Sequence, residues 1–296
     1  MCVLAKYFLL AALAVTVSSH SLGPQDVVFH LFTRNNPGQS QVLFPTVSSI
    51  LISNFDPSLR TIVTIHGQGD FGNFNAFVVP SHLEAENVNV LAVDWSVGST
   101  TYIDGVSQAN QCGLIIAQFI NILSSEFSYS PEQYRIVGVG LGAHVAAIAG
   151  RLVNGNIPHI VAIDPSLHGW THHPGRLGSD AAGLVEVLHA TAGFLGYDYP
   201  LGDIDFYPNG GSIQNGCGID ISCSHVFSIA FYSESVIAPS RNANDFVGTA
   251  CESYEQAISM SCQGPRDAVF GGPGVKTSGS GIYTFSTANS SPFAQG

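Results

Sequence analysis

Short runs of apolar and β-branched residues alternate along the chain with longer segments in which apolar residues recur every three or four positions. The first pattern is typical of buried strands in a parallel sheet, and the second is typical of helices that bury one face. The runs predict strands at residues 26–33, 60–65, 88–93 and 159–163, another running into Gly138, and weaker ones at residues 184–189, 204–207 and 282–286.

The periodic segments predict helices at residues 105–127, 143–153 and 224–235. Strands and helices that alternate at this spacing predict an α/β fold, with a predominantly parallel central sheet covered by helices on both faces. Ligands of such sheets gather at the carboxyl ends of the strands. Residues 165–223 are rich in glycine and histidine and are predicted to be mostly loop. The sequence shows no internal repeat and no linker that would divide it.

The sharpest feature is the turn from the strand at Gly138 into the following helix, where glycines occupy positions 138, 140 and 142. One interpretation is the nucleophile elbow Gly-x-Ser-x-Gly, with Gly140 in the place of the serine. The other is a dinucleotide fingerprint formed by Gly138, Gly140 and Ala143, with Asp164 as the downstream acid. The spacing of these residues fits both.

The amino-acid composition indicates the size of the core and the kinds of partner that the surface can attract. Of the 296 residues, 45% are hydrophobic, which suits one large domain with a substantial core. Lys and Arg number 9 against 21 acidic residues, for a formal charge of −12. A surface with this balance repels nucleic acid and has no polybasic attraction to anionic lipid. We therefore expect no nucleic-acid partner.

The amino terminus has the pattern of a cleavable secretory signal over residues 1–19. Lys6 precedes an apolar segment at 7–17, and small residues follow at Ser18 and Ser19. A membrane anchor is the alternative interpretation, but the segment is short for one. No later segment reaches the length of about 18 uncharged apolar residues that spans a bilayer. The sequence predicts a secreted, extracellular protein without a transmembrane segment, its mature part being one domain at residues 20–296.

Cysteine spacing agrees with an oxidising compartment. Cys217 with Cys223, and Cys251 with Cys262, are the close pairs expected to form disulfides. Cys112 is left over inside an apolar run, where a buried, inert thiol is the expected state. No Cys or His spacing matches a zinc site, so neither a metal nor another cofactor is predicted.

Several ordered segments together resemble the animal pancreatic-lipase family, especially its single-domain insect members. The resemblance implies an α/β-hydrolase fold over residues 24–294, without the C-terminal lipid-binding β-sandwich domain. The segments are Ile65-His66-Gly67, Val93-Asp94-Trp95-Ser96, the elbow from Gly138 to His144, Ala162-Ile163-Asp164-Pro165, residues 205–211, and Cys217 with Cys223-Ser224-His225.

In that family a serine, an aspartate and a histidine form the catalytic triad, and two backbone N–H groups form the oxyanion hole. The resemblance assigns the aspartate to Asp164, the histidine to His225 and the oxyanion donors to Gln68 and Leu141. The serine position is Gly140, which carries no side chain. In another hydrolase, deleting the serine alone lowers turnover roughly 10⁶-fold. Ordinary lipase turnover is therefore not expected.

Two functions remain open. The leading hypothesis is a non-catalytic lipid-binding, storage or interaction protein with a lipid or fatty-acyl ligand, similar to insect yolk proteins that resemble lipases but lack the nucleophile. The alternative is a residual or repurposed carboxylester hydrolase in which His225, oriented by Asp164, activates water above the oxyanion donors. The dinucleotide interpretation leaves His66, His225 and the secretory signal unexplained.

Smaller features complete the prediction. Only residues 218–222 separate Cys217 from Cys223, so the lid is expected to be short, as in phospholipase A1-type members that act on polar lipids. Ser96 and Ser166 are the nearest hydroxyls in sequence, but both are assigned to the ends of other strands rather than to position 140. Asn289 begins a glycosylation sequon.

Overall fold

The computed structural model describes residues 21–69 and 71–296, so the predicted signal at residues 1–19 lies outside the described residues. Within them, a single sheet of eleven strands forms the centre of the fold. The strands are β1 (Val28–Phe32), β2 (Gln41–Leu43), β3 (Thr61–Ile65), β4 (Asn89–Asp94), β5 (Tyr134–Val139), β6 (His159–Ile163), β7 (Leu184–Leu188), β8 (Ile204–Pro208), β9 (Val247–Cys251), β10 (Arg266–Val269) and β11 (Gly281–Phe285). The helices are α1 (Val47–Leu51), α2 (Phe71–Ala85), α3 (Tyr102–Phe127), α4 (Leu141–Leu152), α5 (Ile221–Arg241) and α6 (Tyr254–Ile258).

The sheet is parallel in its middle and antiparallel at both edges. Its strand order is β10-β9-β11-β8-β7-β6-β5-β3-β4-β1-β2. The strands from β11 to β4 in this order are mutually parallel neighbours. β1 with β2 at one edge, and β9 with β10 at the other, pair antiparallel. This arrangement is the α/β-hydrolase fold that the sequence predicts.

Helices cover both faces of the sheet. α3 and α4 pack together over one face, and α2 and α5 pack together over the other. The central strands are buried on both sides, which explains why they read as continuous apolar runs rather than as alternating patterns. Successive residues of a strand pack on opposite faces of the sheet. The core on the α3–α4 face contains Val63, Leu91 and Ile136. The core on the α2–α5 face contains Ile62, Val90 and Val137.

The dinucleotide interpretation is wrong for this fold. β5, which leads into the glycine turn, lies between β3 and β6 inside the common sheet. It therefore does not begin a separate nucleotide-binding unit.

The structure also corrects several predicted elements. No helix is predicted from the sequence at α2, because Gly72 and Pro80 interrupt that segment, yet tertiary packing holds it helical. α5 continues six residues beyond its predicted end at residue 235, with Pro239 inside its last turn. The short elements α1, α6, β2, β9 and β10 are missing from the prediction, because segments of three to five residues carry little periodicity.

Among the described residues, α5 alone is long and apolar enough to span a bilayer, with half of its apolar stretch buried inside the protein. Its buried side chains, including Ile229 and Val236, belong to the core on the α2–α5 face.

Candidate functional site

Gly140 lies at the turn between β5 and α4, at the carboxyl edge of the sheet. Its backbone has φ 56° and ψ −117°, a conformation that glycine adopts freely and other residues adopt only under strain. The N–H of Gly140 donates to the Ile163 carbonyl (3.0 Å), and its carbonyl accepts from Ser166 N–H (3.2 Å). These bonds fix the turn against β6 and the loop after it.

The two flanking glycines permit the close approach that this turn requires. A Cβ on Gly138 would collide with the backbone of Gly142, and a Cβ on Gly142 would collide with the Ile65 carbonyl. The glycine spacing noted in the sequence therefore serves backbone packing between β5, α4 and β3.

His225 and Asp164 meet beside Gly140. Asp164 follows β6, and His225 lies in the second turn of α5. His225 Nδ1 donates to Asp164 Oδ2 at 2.6 Å. Asp164 is completely buried, whereas the His225 side chain is 28% exposed. The pair therefore presents the other ring nitrogen, Nε2, toward the site.

The Asp164 carboxylate is held by three further hydrogen bonds. Oδ1 accepts from the N–H groups of Ala190 (2.8 Å) and Thr191 (2.9 Å), and Oδ2 accepts from the Thr191 hydroxyl (2.5 Å). Burial alone would raise the pKa of Asp164, but the hydrogen bond and charge of His225, with the bonds from Thr191 and Ala190, bring it below its ordinary value. Asp164 is thus held as a carboxylate that orients the imidazole.

The missing side chain of Gly140 would point at His225. A Cβ built there would lie 3.6 Å from His225 Nε2 and 3.5 Å from Ser166 Oγ, both ordinary contact distances. Position 140 thus has the geometry of a nucleophile site without the hydroxyl. Ser166 follows the end of β6, as expected, and its hydroxyl nevertheless borders this point. Its place follows from the loop after Asp164, which folds back onto the Gly140 carbonyl.

Gln68 and Leu141, the predicted oxyanion donors, line the same cavity as Gly140. Leu141 is the first residue of α4, where backbone N–H groups have no acceptor within the helix. The loop that carries Gln68 is fixed by His66, whose Nδ1 donates to the Gly67 carbonyl (2.7 Å) while Nε2 accepts from Trp95 N–H (3.1 Å). His66 therefore holds this loop in place.

The cavity at this edge has a volume of about 510 Å³. Its polar lining comes from the oxyanion loop, Ser166, His168 and His225. Its apolar lining comes from Tyr102, Val139, Leu141 and Leu195. The cavity can therefore accept a ligand with a small polar group and a hydrocarbon part.

The lid is short and cross-linked. Cys217 and Cys223 form a disulfide across a sequence separation of 6. Asp220 caps α5 by accepting from Cys223 N–H (3.1 Å), and Ile219 beside it is 91% exposed. The second predicted disulfide, Cys251–Cys262, is also present.

The other residues singled out in the sequence make contacts that support the fold, or lie on the surface. Ser96 donates to Asp94 Oδ1 (2.6 Å), away from Gly140. His144 is buried, with Nε2 bonded to the Ser166 carbonyl (2.8 Å). Cys112 is a buried free thiol. Asn289 is exposed, and its glycosylation stays a prediction.

The prediction missed Thr191, which holds Asp164, although the sequence carries a signal for it. Thr191 follows the predicted strand at residues 184–189, and strands adjacent in a parallel sheet end at the same edge. Ser166 lies only two residues after Asp164, but the direction of its hydroxyl depends on the loop conformation, which the sequence pattern does not specify.

Comparison with known proteins gives the following matches. A family model described as Lipase matches residues 9–293. Pancreatic triacylglycerol lipase from Homo sapiens is 34% identical over 274 residues, covering 81% of this chain and 57% of that protein. Inactive pancreatic lipase-related protein 1 from Canis lupus familiaris is 34% identical over 265 residues, covering 79% and 56%. Pancreatic lipase-related protein 2 from Cavia porcellus is 33% identical over 247 residues, covering 79% and 56%. The chain spans little more than half the length of these relatives.

Proposed function

The chain belongs to the lipase family, and we propose that it is a secreted, lipid-binding member that does not hydrolyse esters at lipase rates. The observation that carries the proposal is Gly140, which stands at the nucleophile position with no side chain to attack an acyl group. Removing such a nucleophile raises the barrier by about 8 kcal/mol when turnover falls roughly 10⁶-fold.

The rest of the site supports ligand binding. The cavity keeps an apolar lining beside backbone donors and His225. The short cross-linked lid leaves little chain to roof the site, so we propose a polar lipid or fatty-acyl ligand rather than a bulky triacylglycerol. A relative that is described as inactive matches 79% of this chain, and this similarity is consistent with binding without turnover.

Secretion is part of the proposal. Its support is the apolar amino-terminal segment of the sequence and the two disulfides, which persist in oxidising compartments. The tissue in which the protein is synthesised would distinguish a storage role, of the yolk-protein kind, from other binding roles.

A residual hydrolase is the second candidate, and the intact Asp164–His225 hydrogen bond favours it. A water bound beside Gly140 would have His225 Nε2 as its base, with the oxyanion donors nearby.

Ester hydrolysis by the purified protein distinguishes the two candidates. Release of p-nitrophenol from p-nitrophenyl butyrate, and of fatty acid from phosphatidylcholine vesicles, is measured for the wild type and for His225→Ala. The binding proposal predicts equal, near-background rates for both proteins, together with saturable binding of a fluorescent fatty-acyl probe. Hydrolysis by the wild type that is lost in His225→Ala would reject the proposal in favour of the hydrolase.

A further inference from the structure

One edge of the central sheet carries apolar side chains that the core does not use. The segment at residues 41–52 contains β2 and α1, and it is fixed to the core on the α3–α4 face by Leu43 and Ile50. Its other large apolar side chains are between 38% and 84% exposed, and we call them the edge patch: Val42, Phe44, Val47, Leu51 and Ile52. The fold of the monomer gives no reason for these five residues to be apolar.

The edge patch lies at a distance from Gly140 along the sheet. Among the described residues β2 is the last strand at its end of the sheet, and β1, β4 and β3 separate it from β5. Between β2 and α1 runs a groove of about 360 Å³, whose apolar lining is Val42, Phe44 and Ile52. The rest of its lining is polar and uncharged: Gln41, Thr46, Ser48, Ser49 and Ser53. The patch is therefore a surface separate from the cavity at Gly140.

The size of the edge patch suits an interface between two protein chains. At about 150–200 Å² for each fully exposed residue, the five residues together expose roughly 500 Å², which is at the upper end for the largest apolar patch on a monomer. Two such patches in contact bury roughly 1,000 Å² before their polar surroundings are counted, which is the area that a specific interface needs.

The distribution of charge favours a second copy of this chain as the partner. In a two-fold contact each surface meets its own copy, so a charged residue within it would face a like charge. The whole chain has a formal charge of −12, which makes two copies repel each other. Residues 35–55, which carry the edge patch, contain no charged residue. Two copies can therefore meet here without bringing like charges together.

The same segment is poorly suited to a charged lipid surface. Peripheral proteins gain affinity for anionic lipid from lysine and arginine side chains near the membrane, and residues 35–55 have none. A strand at the end of a sheet is, in contrast, a common place for another chain to dock.

We propose that the edge patch joins two copies of this chain in a two-fold dimer. Burial of the five apolar residues supplies the affinity, and the groove between β2 and α1 of each copy receives apolar side chains of the other. The inference does not rest on the proposed lipid binding, because the cavity at Gly140 lies on the other side of three intervening strands.

Sedimentation equilibrium of the purified protein measures this association. We expect a monomer–dimer equilibrium with a Kd of about 10 μM or lower, which interfaces of this size reach. Raising the NaCl concentration from about 50 mM to about 500 mM should strengthen the dimer by about threefold or more, because salt screens the repulsion between two acidic copies.

Substitutions locate the interface. Ile52→Asp removes apolar contact from both copies and places two carboxylates between them, so it should weaken the dimer at least about thirtyfold. Leu51→Asp should act in the same direction. Both side chains are mostly exposed, so the monomer should keep its fold, which circular dichroism checks. The matched control is Ile103→Asp, which changes an 80% exposed isoleucine of α3 outside the patch and should leave the Kd within about twofold.

Three results would overturn the inference. The first is a wild-type protein that stays monomeric at about 100 μM, well above the expected Kd. The second is a dimer that Ile103→Asp weakens and Ile52→Asp does not. The third is a monomer that binds phosphatidylcholine vesicles and loses this binding in Ile52→Asp, which would identify the edge patch as a lipid-docking surface.

Discussion

Single residues decide what this site can do, because the backbone around Gly140 keeps the form of a nucleophile elbow. The strand-to-helix turn is intact, and the Asp164–His225 hydrogen bond measures 2.6 Å. The resemblance to the lipase family assigned Asp164 and His225 to one site with Gly140, and the structure brings the three residues together. The sequence did not predict the contact of Ser166 with the site, since a side chain's direction within an irregular loop has no periodic signal.

Thr191 is expected to stabilise the folded state through Asp164. Thr191→Val keeps the side-chain shape but removes the hydroxyl that donates to Asp164 (2.5 Å) and accepts from Gly196 N–H (2.8 Å). We predict a loss of about 1.5–3 kcal/mol in the free energy of unfolding, measured by urea titration. Exposed Thr277→Val is the control and should stay within about 0.5 kcal/mol of the wild type. Equal effects of the two substitutions would contradict the role given to Thr191.

At the scale of elements, the strands of the parallel core were predicted closely and the edges of the fold were not. β6 has the bounds predicted for it, because a strand buried on both faces is apolar along most of its length. α2 was missed because its packing against α5, rather than its local propensity, keeps it helical despite Gly72 and Pro80. Element boundaries that tertiary contacts decide carry little local signal.

Helix α4 contains a histidine that should make the fold sensitive to acid. Burial lowers the pKa of His144 to about 3, although its bond to the Ser166 carbonyl opposes the shift. The unfolded chain takes up this proton near pH 6.5 and the folded chain does not, so stability falls as the pH drops from about 6.5 toward 3. Between pH 7 and pH 5 this residue should account for a loss of about 2 kcal/mol.

The His144→Gln variant tests this dependence, because an amide can still donate to one backbone group and accept from another. It should be less stable than the wild type at pH 7, having lost the stacking on Trp170 (3.8 Å), but its stability should fall less steeply toward pH 5. Chemical denaturation at several pH values measures both quantities. Exposed His172→Gln should follow the wild-type curve; a His144→Gln curve parallel to the wild type would contradict the assignment.

The disulfide between Cys217 and Cys223 should affect both the stability of the protein and the rigidity of the lid. Replacing Cys217 and Cys223 with serine should lower the free energy of unfolding by about 2 kcal/mol, since the closed loop is short. It should also speed cleavage by thermolysin at the exposed Ile219, because a proteolytic site must become extended. The matched Cys251→Ser/Cys262→Ser variant should not change cleavage at Ile219. Similar rates in all three proteins would show that the cross-link does not make the lid rigid.

The whole molecule has an α/β-hydrolase fold in which Asp164 and His225 are hydrogen-bonded beside Gly140, which has no side chain. The formal charge of −12 gives no general attraction for an anionic ligand, so the proposed lipid binding depends on the residues that line the cavity. The sequence predicted this organisation because the family motifs lie at the carboxyl ends of consecutive parallel strands. It does not specify the backbone conformation at Gly140, which has a positive φ of 56° in the structure.

Covalent labelling by a serine-directed fluorophosphonate shows whether position 140 lacks only a hydroxyl group. Gly140→Ser should place a hydroxyl beside His225 Nε2, at a cost of about 1–3 kcal/mol in stability for a side chain at this φ. We expect that the folded Gly140→Ser protein is labelled at residue 140, and that wild type and Gly140→Ser/His225→Ala are not. Labelling of the wild type, or failure of the folded Gly140→Ser protein to react, would contradict this expectation.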